Sequence, residues 1–485
     1  MKMKSIRLSA VALPMLLSVG NTSDVQAQEK KNVLMILNDD MGAMELGCYG
    51  STINNTPNLD ELAESGTRFQ TFYATPVSSP TRVGLMTGKY GHKTGWLNMR
   101  GRDAAAPPRD ADLALEEYTF GQMFHDAGYR TAFAGKWQLT GNLPSMVGEA
   151  GFDEYLIWIY KGYLQEGVEY KGGFNPRVPE KKKVSRFWHP GVAKNGKHLD
   201  TEPTDYGPDM FSDFIVDFMK QSVEDDRPFF AYYPMVLMHK PWLRTPDHPD
   251  IEGINTDEAK KANVEYSDKI MGKLMDAIRE LGIEENTLVI FVGDNGTQGI
   301  GKSTVTEWGV RTPCIVSCPG TVQSGVVSEQ LVELCDLLPT MLDFSDIRVR
   351  NEQELDGLSL MPLLKGEQEQ LDREYITSFY GQFRIIREEN WLLERNSQDG
   401  FGDLYYTGDI RNGLGYRLVE DYTHPQVQKA MVRMMDHLEE VPLPDVNREY
   451  REDFSDFVGK KKDHLVRQLE KLYGEDYGHS SELSY

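Results

Sequence analysis

The sequence predicts an α/β fold: a large mixed, mostly parallel sheet flanked by helices, with a smaller C-terminal α+β subdomain built on an antiparallel sheet. Three observations carry this. Four apolar, strand-like runs before residue 300 each stop at polar residues, amphipathic stretches separate them, and beyond residue 373 the texture shortens into closely spaced apolar runs. Strands alternating with helices give a parallel sheet, because a parallel connection needs a long crossover. The corresponding boundaries are a leader over 1–27, a larger N-terminal domain over 28–372 and the C-terminal subdomain over 373–485.

The first run, 33–37, ends at Asn38-Asp39-Asp40, and an amphipathic helix is predicted over 56–66. Ser78-Ser79-Pro80-Thr81-Arg82 opens a short helix closed by Thr87-Gly88. Ser before Pro reads there as N-cap and first helical residue, with Gly just past the end. A helix over 119–128 precedes the run 131–134, which ends at Gly135-Lys136-Trp137. A helix over 209–223 leads to the run 229–233, which continues through Met235-Val236-Leu237-Met238 to His239-Lys240-Pro241. A helix over 263–282 precedes 288–292, which ends at Gly293-Asp294-Asn295-Gly296. Runs at 375–380, 383–387 and 391–393 predict the antiparallel sheet, followed by an amphipathic helix over 425–438 and a charged tail. Ligands of open parallel sheets sit beyond the carboxyl ends of the strands, so the polar residues at four strand ends converge on one crevice.

Composition narrows the class. With 26% charged and 40% hydrophobic residues the chain is globular, not disordered, collagen-like or coiled-coil. A formal net charge of -23 excludes wholesale nucleic-acid binding. Cys48, Cys314, Cys318 and Cys335 fit neither a zinc spacing nor a disulfide framework and read as buried thiols, with Cys314–Cys318 the one pair that geometry could bridge. Lys2, Lys4 and Arg7, an apolar stretch over 8–19 and Val25-Gln26-Ala27 read as a cleavable export leader. The stretch is short of the roughly 20 residues that span a bilayer, and no cysteine follows it. A periplasmic or secreted protein without a membrane anchor is expected. Residues 161–198 carry nine Lys/Arg against three Glu, and read either as a solvated insertion or as a basic lip facing an acidic substrate.

Asp39-Asp40 at one strand end and Asp294-Asn295 at another offer hard oxygen donors, which suit Ca²⁺ or Mg²⁺ better than zinc. A helix N-terminus at Ser78 attracts anions, and Arg82 one turn in opposes the dipole, so an acid or an anion should compensate it. Lys136 follows a strand directly and precedes Trp137, which packs its stem; His239 closes an apolar run; Lys302 adds a third cation. Three cations and a titratable imidazole around a metal would clamp a tetrahedral oxyanion and protonate its leaving group.

The run Ser78-Ser79-Pro80-Thr81-Arg82-Val83-Gly84-Leu85-Met86-Thr87-Gly88 resembles the sulfatase signature: Cys or Ser, any residue, Pro, any residue, Arg, then Thr-Gly at the ninth and tenth positions beyond the first. The similarity extends to Asn38-Asp39-Asp40-Met41-Gly42, Thr56-Pro57-Asn58-Leu59-Asp60, Gly135-Lys136-Trp137, Asp294-Asn295-Gly296 and Glu307-Trp308-Gly309-Val310-Arg311-Thr312-Pro313. The resemblance implies an alkaline-phosphatase-like fold and hydrolysis of a sulfate ester on a carbohydrate such as a glycosaminoglycan or mucin-type glycan. It implies formylglycine made from Ser78 by a maturation enzyme, and Ca²⁺ held by Asp39, Asp40, Asp294, Asn295 and residue 78 itself. By the same resemblance Arg82 holds the aldehyde hydrate, Lys136 and Lys302 clamp sulfate, and His239 donates a proton to the leaving alcohol. One departure stands out: the family reads Gly-Lys-Trp-His, and Gln138 occupies the His position. Gln hydrogen-bonds but takes no proton at neutral pH, which leaves open a sulfated-glycan binding protein with impaired catalysis. A metal-dependent phosphoesterase of the same superfold is the other alternative. Trp96, Arg100, Arg102, Trp242, Arg244 and His248, which follow these motifs closely, join Gln138 as candidates for substrate contact.

Overall fold

Along the first strand Val33, Met35 and Leu37 enter one apolar cluster while Leu34 and Ile36 enter another. A strand apolar at every position therefore lies mid-sheet with both faces covered. The structure, a computed structural model, describes residues 31–99, 117–139, 145–159, 186–348, 354–395, 401–442 and 448–474. The expected leader, Arg100, Arg102 and residues 161–185 of the basic segment lie outside these. No helix among the described residues is long and apolar enough to cross a membrane, and all four cysteines are free thiols.

The strands are β1 (Asn32–Asn38), β2 (Thr67–Tyr73), β3 (Arg130–Gly135), β4 (Glu154–Trp158), β5 (Val192–Lys194), β6 (Lys197–Leu199), β7 (Phe229–Pro234), β8 (Thr287–Gly293), β9 (Cys314–Ser317) and β10 (Val326–Glu333). They form one sheet in the order β10-β2-β9-β8-β1-β7-β3-β4-β5-β6. The centre, β8-β1-β7-β3-β4, is parallel, and antiparallel pairings enter at β9 and at β5 and β6. The helices Pro57–Glu64, Gly207–Glu224 and Asp257–Glu280 cover one face; Phe120–Asp126, Ser78–Thr87 and Leu337–Phe344 cover the other. On that second face Phe124 stacks on Phe230 with ring centroids 4.3 Å apart.

A second sheet runs in sequence order: β11 (Ile376–Tyr380), β12 (Phe383–Arg387), β13 (Trp391–Arg395), β14 (Asp403–Tyr406) and β15 (Arg417–Leu418), all antiparallel. Ile376, Tyr380, Phe383, Ile385 and Leu392 share an apolar cluster with Tyr73, Val77, Val305 and Val310 of the larger unit. The Ser378 hydroxyl donates to the Ala74 carbonyl at 2.7 Å. The small sheet thus buttresses Val77, the residue before Ser78. The charged stretch expected as a tail is instead a helix over Arg448–Tyr473, tied back by Lys462 to Glu394 at 3.5 Å.

Glu394 lies buried in this seam and accepts the Glu307 amide at 3.2 Å. Burial pushes its carboxyl up to about 7 against the pull of Lys462. An acid whose folded pKa exceeds its unfolded value, near 4.5, holds its proton more tightly when folded. Its contribution is full below pH 4.5 and is lost as pH rises through about 7. Denaturant titrations at pH 5 and pH 8 should show this as a loss on the order of 3 kcal/mol that Glu394→Gln removes. Gly135, the last residue of β3, has φ 115°, and a Cβ there would sit 2.1 Å from the Pro234 carbonyl oxygen. Gly135→Ala should therefore cost about 3 kcal/mol in unfolding free energy and lower the thermal midpoint.

Candidate active site

Four parallel strand ends meet as the sequence predicts. Asp39 and Asp40 leave β1, Lys136 leaves β3, Asp294 and Asn295 leave β8, and His239 follows β7 after an irregular turn with cis peptides at Leu237–Met238 and Lys240–Pro241. Asp39, Asp40, Asp294 and Asn295 are all 0% exposed, so their polar atoms must find partners inside the protein. Asp39 takes both its bonds from the Lys136 ammonium, at 2.8 and 2.7 Å. Asp294 accepts the Asp40 amide at 2.9 Å through Oδ1 and the Arg82 guanidinium at 3.1 Å through Oδ2. Asp40 Oδ1 receives Asn295 Nδ2 at 2.9 Å and pairs with the Lys302 ammonium.

Ser78 sits at the centre. Its hydroxyl donates to Asn295 Oδ1 at 3.2 Å and accepts from Lys136 Nζ at 3.3 Å. The helix spans Ser78–Thr87, with Val77 at the N-cap position and Gly88 closing it at φ 65°. The Gly88 end agrees with the sequence, but the serine cap does not form. The strand-end groups claim the Ser78 hydroxyl, and Ser79 Oγ donates to the Gln138 carbonyl at 3.2 Å. Arg82 finds the expected acid in Asp294 and also donates to the Lys136 carbonyl at 2.8 Å.

Electrostatics follow from burial. Desolvation pulls the Lys136 ammonium down to about 8, with Asp39 opposing. Burial and then Asp39 raise the Asp294 carboxyl while Arg82 holds it down. His239 is lowered well below its usual value by burial, then by Arg186, Lys302 and Lys136, which leaves its ring neutral. Its Nδ1 lies 2.6 Å from the Lys240 carbonyl, which only accepts, so Nδ1 carries the hydrogen and Nε2 keeps its lone pair toward Asp40, 3.8 Å away.

The donor set fits a hard divalent cation. Asp40 Oδ2 is buried without a hydrogen-bond partner among the described residues, and ligand atoms of Asp39, Asp40 and His239 lie within 4.8 Å of one another. Carboxylate and carboxamide oxygens from Asp294 and Asn295 complete an oxygen-rich group of the kind calcium takes.

Arg186 lies in the basic segment 161–198, where the sequence pattern marks charge but no individual residue. Its guanidinium reaches 3.8 Å from Asp39 Oδ2 and lies 4.3 Å over the Trp158 ring. The adjacency Arg186-Phe187-Trp188 was the available signal. Gln138 adopts φ 50°, and its side-chain carbonyl is buried without a partner among the described residues. No described contact joins the other candidates to the cluster. Trp96 is 2% exposed and belongs to the same apolar core cluster as Leu85 and Met86. Trp242 is buried and pins its loop by donating to the Met238 carbonyl at 2.7 Å. Arg244 and His248 lie exposed on that same loop.

Buried carboxylates, a ring of cations and a central hydroxyl on an alkaline-phosphatase-like sheet define a hydrolase of oxyanion esters. Comparisons narrow the class. Residues 31–347 match the family model Sulfatase. The chain is 30% identical over 380 residues to the N-acetylgalactosamine-6-sulfatase of Canis lupus familiaris, covering 73% of this chain and 70% of that one. It is 33% identical over 362 residues to arylsulfatase A of Homo sapiens, covering 69% and 68%. The crystal structure of Ps i-CgsB superposes with a TM-score of 0.68 at 25% identity, covering 84% of this chain and 92% of that one. The chain belongs to the sulfatase family and is a sulfuric ester hydrolase.

Asp294→Asn would leave the 1%-exposed Arg82 without its charge partner. Urea unfolding in the presence of a chelator should show a loss of about 3–5 kcal/mol, the range for breaking one side of a buried pair.

Proposed function

We propose that this protein removes sulfate from a sulfated glycan, using formylglycine formed from Ser78 and one bound Ca²⁺, and that it acts after export to the periplasm or the medium. The observation that carries the reading is the Ser78 hydroxyl, enclosed at a helix start between Asn295 Oδ1 and Lys136 Nζ at 3.2 and 3.3 Å. The carbohydrate part of the reading draws on the name of the N-acetylgalactosamine-6-sulfatases, its relatives at 30% identity. The roles below, and the domain boundary near residue 373, belong to this proposal.

A serine hydroxyl is a weak nucleophile without a base; as formylglycine the residue supplies a hydrated aldehyde, one hydroxyl to attack sulfur and one to expel sulfate. Asp39, Asp40, Asp294 and Asn295 would hold Ca²⁺, which supplies charge stabilisation at the sulfate oxygens when bound. Arg82, fixed between Asp294 and the Lys136 carbonyl, orients residue 78. Lys136 and Lys302 donate to the non-bridging sulfate oxygens, whose charge in the transition state they meet without reorganising. His239 gives a proton to the departing alcohol, and the negative charge of the ester opposes the burial and the three cations that lower its pKa. Gln138 supplies amide hydrogen bonds only, so proton traffic at the residue 78 hydrate passes through other groups.

Mass spectrometry of the peptide containing residue 78, purified from a host with a maturation enzyme, should show the loss of two hydrogens from serine. Ser78→Ala should lower sulfate release from a sulfated monosaccharide panel by at least about a thousandfold, as measured by ion chromatography. Unmodified serine in a preparation that still releases sulfate would overturn the formylglycine assignment. Chelation should abolish turnover, and calcium in preference to zinc should restore it.

A further inference from the structure

Four cations surround the three buried carboxylates of the site, and three of them have been given roles. Arg82 is matched to Asp294, Lys136 to Asp39 and Lys302 to Asp40. Arg186 comes from a different part of the chain, just before the antiparallel edge strands, and shares with Lys136 a single oxygen, Asp39 Oδ2, at 3.8 Å against 2.7 Å. Lys136 in turn lies 3.3 Å from the Ser78 hydroxyl, so the guanidinium is linked to the reacting oxygen through Asp39 and Lys136, three contacts in all.

Arg186 is also held in place. The plane of Trp158, at the end of β4, lies 4.3 Å below the guanidinium carbon, and the Phe187 ring is 5.8 Å away. Its side chain is 14% exposed, so most of its hydration has been given up. A cation on an aromatic face with little water keeps its charge and most of its strength for an incoming anion. A guanidinium is planar and presents paired donors that match two oxygens of a tetrahedral anion, which an ammonium cannot do.

We propose that Arg186 is a sulfate-binding residue: its guanidinium contacts the sulfuryl group that is transferred, as a fourth cation beside Lys136, Lys302 and Arg82. This rests on the reading of the pocket as the sulfate-ester site, and its test is separable from that reading. The contact is to the anion common to every substrate, not to a second charged group on a particular sugar.

Binding is measured by calorimetry with inorganic sulfate on the calcium-supplemented full chain carrying Ser78→Ala, which avoids turnover. Arg186→Gln should weaken sulfate about 10- to 100-fold, the effect of losing one charge-assisted hydrogen-bond donor. Arg186→Lys should recover part of the loss. Arg186→Met, which retains an unbranched stem against Trp158, covers the case in which the Gln variant does not fold, and should show the same loss. In the chain with Ser78 intact, kcat/KM for a small aryl sulfate and for a monosulfated sugar should fall by a common factor. Sulfate affinity unchanged in both neutral variants, or a loss confined to substrates carrying a second anionic group, would overturn the assignment. Absence of sulfate release by the unsubstituted chain would count against the hydrolase reading alone, because sulfate binding is read without turnover.

Discussion

Three carboxylates gathered out of water are the constraint on which the rest of this structure depends. Asp39, Asp40 and Asp294 would repel one another severely as carboxylates in a low-dielectric interior, and each has a cation placed against it. Such a cluster is no source of stability, since desolvating the ions offsets much of the attraction between them. Its persistence at the ends of strands built from Val, Ile, Leu and Phe is intelligible through the chemistry it carries. The orphaned oxygen of Asp40 is the clearest mark of this, because a buried carboxylate oxygen without a partner is costly unless something binds there.

The fold serves this cluster by delivering short polar segments from rigid strands. β1, β8, β7 and β3 are neighbours in the sheet, so residues just beyond their carboxyl ends fall within a few ångströms without long loops. Close approach exacts conformational distortion at the strand ends. Asp40, Gln138 and Ser303 all adopt positive φ, at 62°, 50° and 68°, each within one residue of a charged group of the cluster or two residues of one. Left-handed backbone at non-glycine residues is sustained only where surrounding contacts over-determine it. Here those contacts are the ion pairs themselves and the second sheet, whose apolar face presses on Val77 and so fixes where the helix of Ser78 begins.

Periodicity carried most of the architecture. The apolar runs at 33–37, 131–134, 229–233 and 288–292 became β1, β3, β7 and β8 with boundaries shifted by a residue or two, because continuous apolar runs bounded by polar residues have few other uses. Asp39, Asp40, Asp294 and Asn295 were legible for the same reason, being the first polar residues after such runs. Lys302 was less so: it follows no strand and reaches Asp40 through a loop with glycines at 299 and 301 in left-handed conformations. Arg186 was barely legible as an individual, because within a segment rich in Lys and Arg only its two aromatic neighbours, Phe187 and Trp188, set it apart. The serine cap failed for a tertiary reason, since a local capping preference worth about 1 kcal/mol yields to a buried network that claims the hydroxyl. The helix over Arg448–Tyr473 escaped notice because its charge density hides the narrow stripe, Val458, Leu465 and Leu469, that it buries.

The remaining paradox is electrostatic: a chain of formal charge -23 has a pocket suited to an anion. Distance resolves it. At physiological ionic strength the field of surface charges decays over roughly 8 Å, so most of the acidic exterior is not felt inside the pocket. Arg82, Lys136, Arg186 and Lys302 act at contact range and in a medium that screens them poorly. Against three carboxylates they already leave this cluster positive, and a divalent ion would make it more so. The two scales then select differently. The exterior disfavours broad adhesion to polyanions such as nucleic acid, while the pocket rewards a single small tetrahedral anion that feels these cations at short range.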